Sequence, residues 1–383
     1  MNKKSLKTLF SPLKNRLWLI NEENTISYKT IKGFTKALCY LPKPIRKRIF
    51  YILDSFVILM TRFFSISNQI SLFAYIISGK EKHSGEKFTI LFIGNKILSP
   101  YLSNLMFQTQ PEILKNFRIY IWDYKKKINQ LHLDVDAVLI KSDRFYSGFF
   151  EKKGFTIIPE WIKMTLDVSE SWDIIHKNLS KGVKEDLRKI KKFHYDYEVT
   201  SESDKLKMFY YKMYLPYLSW RYKDPDMRAN FYAIKHLFEQ GSELLLIKND
   251  NEYLFGGLFL KKKNKVVTSY AGVIEGRFDC IQQGVMAASY YYLIEHSKKI
   301  GIKTIDFGTT RPFIKDGVFC YKKKWGGKIE KADNQSAEIY SFKIRNNNNP
   351  VKSFLENNPT ILIEKNKLTQ GFNNKNFEEN LTS

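Results

Sequence analysis

Apolar positions change their spacing twice along this chain. Over residues 1–85 they fall in blocks compatible with helices, broken at Pro42, Pro44 and the polar stretch SGKEKHSGEK. The densest block, Ile49–Ile77, reads IFYILDSFVILMTRFFSISNQISLFAYII and predicts a pair of buried helices. From Phe88 the runs shorten: FTILFIG (88–94), FRIYIWD (117–123) and DAVLI (136–140), with helix-compatible segments between them. That texture predicts an α/β unit. A strand in GFTII and another near Trp161–Val168 follow.

Helical spacing returns after Ser169 and Ser171, two N-cap candidates before SWDIIHKNLSKGVKEDLRKIKKF. SDKLKMFYYKMYLPYLSWRY (203–222), broken by Pro216, and ANFYAIKHLFEQG (229–241) predict further helices. Residues 242–273 then alternate as three strands of an antiparallel meander, with turns at KNDN and KKKNK. IQQGVMAASYYYLIEHSKKIG (281–301) is a helix stopped by Gly301, and KTIDFG is a strand. A last strand pair, GKIEKAD and AEIYSFKI, precedes RNNNNP. Beyond Arg345 the chain is polar and Asn-rich, and residues 346–383 are expected to be largely disordered.

Composition narrows the picture in three respects. The chain has 383 residues, enough for two domains, with 63 basic against 39 acidic residues and a formal net charge of +24. Such an excess favours anionic partners. Lysine, however, far outnumbers arginine, the residue that reads bases bidentately, so biased composition accounts for most of the charge. Cys39, Cys280 and Cys320 are too few and too scattered for a disulfide framework, and the six histidines form no metal spacing. We therefore expect no metal site and a reducing, cytoplasmic setting. The N-terminus lacks the apolar core and cleavage site of a signal peptide. Asp54 and Arg62 interrupt the apolar block, so it falls short of the ~18 residues of a spanning helix. KPIRKR (43–48) directly before it gives 43–77 a second reading, as a peripheral contact with a membrane surface.

The order meander, helix, strand, loop, final strands resembles the GNAT acyltransferase fold. IQQGVMAASYYYLIEHSKKIGIKTIDFG followed by YKKKWGG is similar to the acetyltransferase domain of the FemAB-like branch. LDVSESWDIIHKNLSKGVKEDLRKIKK resembles the segment opening the second half of Fem-type aminoacyl transferases. The resemblance implies an α/β (α+β) fold of tandem GNAT-like units with a helical N-terminal extension. The boundaries expected are 1–85 for the extension, 86–165 for the first unit and 166–345 for the second, which bears the site. It implies N-acyl transfer from acyl-CoA to an amine on a sugar, peptide or cell-envelope precursor. The alternative is an aminoacyl-tRNA-dependent Fem-type transferase. A non-catalytic, envelope-associated binding protein is the third.

Acyl transfer needs a cleft, donors for a developing oxyanion and a place for a proton. Splayed strands leave backbone groups free at their gap, and Tyr270, Ala271 and Gly272 in VVTSYAGV are the candidates there. The loop before the 281–301 helix offers Gln282, Gln283 and Gly284 to a donor. It lacks the basic, glycine-rich spacing that cradles a pyrophosphate, a departure shared by the Fem-type members. The resemblance implies a cationic role for Lys322 beside Tyr321; the plain alternative is one of three consecutive lysines on an exposed turn. Asp306 and Asp316 are the carboxylates placed for proton removal, and either serves equally as a loop cap. Arg311 is a planar fork for phosphate or carboxylate, and Trp325 packs in the core or lines the site. The DFG at 306–308 comes with none of the other protein-kinase motifs.

Overall fold

The computed structural model describes residues 69–130, 134–221, 228–250, 252–331, 338–365 and 367–371. Most of the expected helical extension, including the basic cluster at 43–48, lies outside them. Where the description begins, the expectation of helix fails. Ser71–Lys80 is a strand, β1, whose alternate residues Leu72, Ala74 and Ile76 are buried. Periodicity over so apolar a run does not separate helix from buried strand.

Strands β2 (Lys87–Gly94), β3 (Glu112–Tyr120), β4 (Ala137–Asp143) and β5 (Thr156–Pro159) follow, with helix α1 (Pro100–Met106) after β2. Next come β6 (Ile162–Asp167), helix α2 (Lys181–Lys192) and β7 (Tyr195–Thr200). A π-helical turn, Phe209–Tyr214, runs into helix α3 (Leu215–Arg221). The meander is β8 (Ser242–Asn249), β9 (Glu252–Lys262) and β10 (Lys265–Val273). Helix α4 (Val285–Lys299), β11 (Thr304–Thr310), helix α5 (Gly317–Lys324), β12 (Lys328–Lys331) and β13 (Glu338–Ile344) complete the second half.

The strands form two large sheets that exchange members. The six-stranded sheet has the order β3-β1-β2-β4-β13-β5, and the seven-stranded sheet β12-β6-β11-β10-β9-β8-β7. Thus β13, from the end of the second half, lies between β4 and β5, while β6 lies between β11 and β12. Burial explains the exchange. Ile339 of β13 joins the core on one face of the first sheet, and Tyr340 and Phe342 join the core on the other. A strand apolar on both faces is stable only inside a sheet.

The tail is a correction. Part of it is ordered: Asn349–Asn357 is helix α6, and β14 (Thr360–Glu364) and β15 (Lys367–Gly371) pair antiparallel. The Asn-rich run caps the helix, Asn348 accepting from the Val351 N–H at 3.4 Å, with Pro350 in the first turn. Val351, Phe354 and Leu355 form a buried stripe at helical spacing, and Phe354 packs on Phe88 at 5.9 Å. Average polarity hides so short a stripe.

Candidate functional site

The candidate site lies where β10 and β11 part. They pair in parallel only through Lys265–Thr304, Val266–Ile305 and Val267–Asp306. At that level both strands bulge against their outer partners. One extra residue enters β10 between Thr268 and Ala271, and one enters β11 between Asp306 and Thr309. A bulge bends and twists its strand, and two facing outward on adjacent strands drive them apart. Gly308 takes the left-handed turn in β11 at φ +73°, which favours glycine. The Thr268 hydroxyl, donating to the Asp306 carbonyl at 3.1 Å, closes the bottom of the gap.

Lys322 spans the upper end of β11. Its Nζ donates to the carbonyls of Gly308 at 3.2 Å and Thr309 at 2.8 Å. The exposed-turn reading fails here: Lys322 is on α5 and 5% exposed, whereas Lys323 and Lys324 face solvent. Burial pushes its ammonium down to about 8; Asp306 and Asp316 resist that fall and Arg221 adds to it. Its charge is therefore only modestly favoured at ordinary pH.

The other candidates lie at several places around it. Tyr270 borders the gap, its ring edge-on to Tyr214 at 5.5 Å, and burial raises its hydroxyl pKa. Ala271 beside it is half-buried. Gly272 answers to packing: a Cβ there would lie 2.5 Å from the Met213 carbonyl carbon and the Tyr214 nitrogen. Gly256, its cross-strand partner, sits equally close to Phe209, so the two glycines seat the π-helical turn.

Asp306 is buried and committed. Its Oδ2 meets Lys163 Nζ at 3.0 Å and Lys265 Nζ at 3.9 Å, and its Oδ1 accepts from the Gly308 N–H at 2.9 Å. A carboxylate so held anchors the bulge and is poorly placed to take a proton. Asp316 is the N-cap of α5, accepting from Val318 and Phe319 N–H at 2.9 and 3.1 Å, and also from the Tyr101 hydroxyl. Arg311 lies at the seam between the sheets. Its guanidinium stacks 3.8 Å over Trp161 and 5.1 Å over Tyr101, and pairs with Glu160 at 3.3 Å.

Gln282 is exposed and Gln283 half-buried, and Gly284 starts α4 at φ +93°. A Cβ on Gly284 would touch the Lys189 side chain at 3.2 Å, and Lys189 Nζ donates to the Gln282 carbonyl at 3.3 Å. Helix α2 therefore lies over the start of α4. Trp325 is fully buried, its ring 5.4 Å from Tyr290. Tyr321 meets the same ring edge-on at 5.2 Å. Sequence reasoning missed Lys163, Tyr217, Arg221 and Tyr290, which come to the candidate site from three separate elements, β6, α3 and α4, and share no local motif.

No family model and no curated protein matches the chain. Among solved structures it is similar to FemX, at 14% identity and a TM-score of 0.37 over 72% of this chain and 89% of that one. It is similar to L-PGS from Bacillus licheniformis at 11% identity and a TM-score of 0.37, covering 72% and 86%. A tandem GNAT protein from the clavulanic acid biosynthesis pathway aligns at 9% identity and a TM-score of 0.29, covering 68% and 79%. At these identities and scores the likenesses bear on neither activity nor substrate. The strand order speaks for itself: an antiparallel meander, a helix, then a strand parallel to the last and splayed from it. The fold is GNAT-like. Among the described residues no group of ligands is placed for a metal ion, and no helix is long and apolar enough to cross a membrane.

Proposed function

We propose that this chain is an N-acyltransferase working in the gap between β10 and β11. The observation that carries the reading is Lys322, a buried ammonium held on β11 beyond the point where it parts from β10, with two of its three protons on backbone carbonyls. Attack of an amine nitrogen on an ester or thioester carbonyl forms the C–N bond and places negative charge on oxygen. Collapse breaks the C–O or C–S bond, and the leaving hydroxyl or thiol takes up the proton the amine gives up. The third Lys322 proton answers the charge on oxygen, in a low-dielectric position where such a donor is most effective. The free backbone groups of the splayed strands hold the acyl chain.

The acceptor in this reading is an amine on a sugar, peptide or envelope precursor. Acyl-CoA and aminoacyl-tRNA are the two donors to weigh. The packing of Lys189 against Gly284 favours the second, since α2 occupies the space a pyrophosphate needs at the start of α4. The +24 net charge supports the same choice. Thermal shift titrations separate the donors. Stabilisation by charged tRNA and none by acetyl-CoA is expected; the reverse selects acyl-CoA, and stabilisation by neither rejects transfer. Peripheral membrane contact through 43–77 completes the proposal, and failure of the full chain to float with anionic liposomes would remove it.

A further inference from the structure

The outer end of the first sheet carries an aromatic face that comes out into solvent. β3 is the edge strand there and pairs only with β1. Residues directly opposite share a face, so the pairs Tyr75–Asn116, Phe73–Arg118 and Ser71–Tyr120 fix which side chains lie together. Further in, the same face is the core beneath α1 and α6, where Ile77, Phe92 and Phe354 are buried. Tyr75 stands at its margin, 6.5 Å from Phe92 and 6.3 Å from Phe73.

Beyond Tyr75 the row leaves the core. Phe73 is 37% exposed, Tyr120 53% and Trp122 48%, and the last two stack at 5.7 Å with nearly parallel rings. Ile113 and Leu114, where β3 slips against β1, are exposed as well. Single apolar residues on a surface need no explanation, but five along one sheet edge do. The charge around them is one-sided. Arg118 lies 4.6 Å over the Phe73 ring and makes no ion pair among the described residues. Lys115 on β3, and Lys125 and Lys126 on the helical turns Tyr124–Gln130, are exposed. Glu112 and Asp123 are the acidic residues between 112 and 127.

These two properties select the occupant. A second copy pairing along β3 would bring Lys115 and Arg118 against the same basic residues, the charge pattern by which edge strands prevent pairing. The apolar block before β1 complements the face no better, because residues 43–68 carry Lys43, Arg46, Lys47, Arg48 and Arg62 against Asp54 alone. An anionic bilayer meets both demands. Trp and Tyr rings settle at the headgroup level, and Lys and Arg answer the acidic lipids. We propose that the β1–β3 face centred on Tyr120 and Trp122 lies on an anionic membrane surface. The contact extends the peripheral association proposed for 43–77 into the folded sheet and does not depend on acyl transfer.

The test is flotation of the full chain with vesicles of phosphatidylglycerol and phosphatidylcholine in equal parts, and with phosphatidylcholine alone. Wild type should float with the first and not with the second. Tyr120→Ser with Trp122→Ser removes two half-exposed rings, so the melting temperature should hold while the partition coefficient falls about tenfold or more. Lys125→Gln with Lys126→Gln should lower it about tenfold or more, each basic residue near the surface contributing about fivefold. Arg46→Gln with Arg48→Gln tests the 43–77 contact separately. Loss of flotation in the aromatic variant but not in the Arg46 and Arg48 variant upholds this face and removes 43–77. Undiminished flotation of the aromatic variant overturns the proposal, as does failure of wild type to float. A lipid-free dimer that the aromatic substitutions convert to monomer, with flotation unchanged, would make the face a contact between copies and overturn it too.

Discussion

At the scale of single residues, Lys322 and Asp306 have opposite work. Lys322→Met should lower kcat by about 10²-fold or more, the usual cost of removing a donor from a charge-developing site. The pH dependence has a definite sign. In the proposed reaction the ammonium is the active form, so kcat/KM should fall as pH rises through about 8. Stability runs the other way. The folded state holds the Lys322 proton less tightly than the unfolded chain, so the melting temperature should climb between about 8 and 10.5. Lys322→Met should abolish that slope. Asp306→Asn, by contrast, takes the 3.0 Å counter-charge from buried Lys163 and should cost about 3–5 kcal/mol in chemical denaturation. A large loss of kcat with unchanged stability would instead make Asp306 the base.

At the scale of elements, the π-helical turn and its glycine seat determine the shape of the gap. Gly272→Ala drives a methyl into the backbone of Met213 and Tyr214, and should cost about 3 kcal/mol, at the upper end for overpacking. Urea unfolding measures it directly; a loss below about 0.5 kcal/mol, within the range of an ordinary surface change, would show that the turn is not seated there. This seat also marks how far the sequence could be read. The meander and the strand entering the site were legible, because alternation and turn chemistry are local signals. Gly272 looked like room for a ligand because nothing in VVTSYAGV announces a helix 60 residues upstream. YKKKWGG looked like a turn, yet Asp316 caps a helix whose spacing buries Phe319 and Lys322 while Lys323 and Lys324 stay wet. Three adjacent lysines carry no mark of which one faces inward. Arg311 was read as a ligand clamp, since its stacking on Trp161 and Tyr101 depends on contacts of long sequence separation.

At the scale of the whole molecule, strand exchange makes the two halves interdependent. Without β13 the first sheet is left with a gap between β4 and β5, and without β6 the second is left with one between β11 and β12. Open, apolar strand edges aggregate. Residues 69–167 and 168–371 expressed apart, the first lacking β13 and the second lacking β6, should therefore be insoluble, and co-expression should recover a soluble complex. Two halves that fold alone would contradict the exchange. The seam is reinforced by Arg311 and Lys141 on Glu160, at 3.3 and 2.8 Å, so the site-bearing loop is held by the half that lacks the site. The central claim is that acyl transfer occurs at the β10–β11 gap through Lys322. The most direct measurement is mass spectrometry of glycylglycine incubated with charged tRNA or acetyl-CoA and either wild type or Lys322→Met. The account predicts an N-acylated product from wild type with one donor, and at least a 100-fold slower appearance with Lys322→Met, about the effect of losing one charge-stabilising donor. Equal rates from the two proteins, or no product from wild type with either donor, would contradict it.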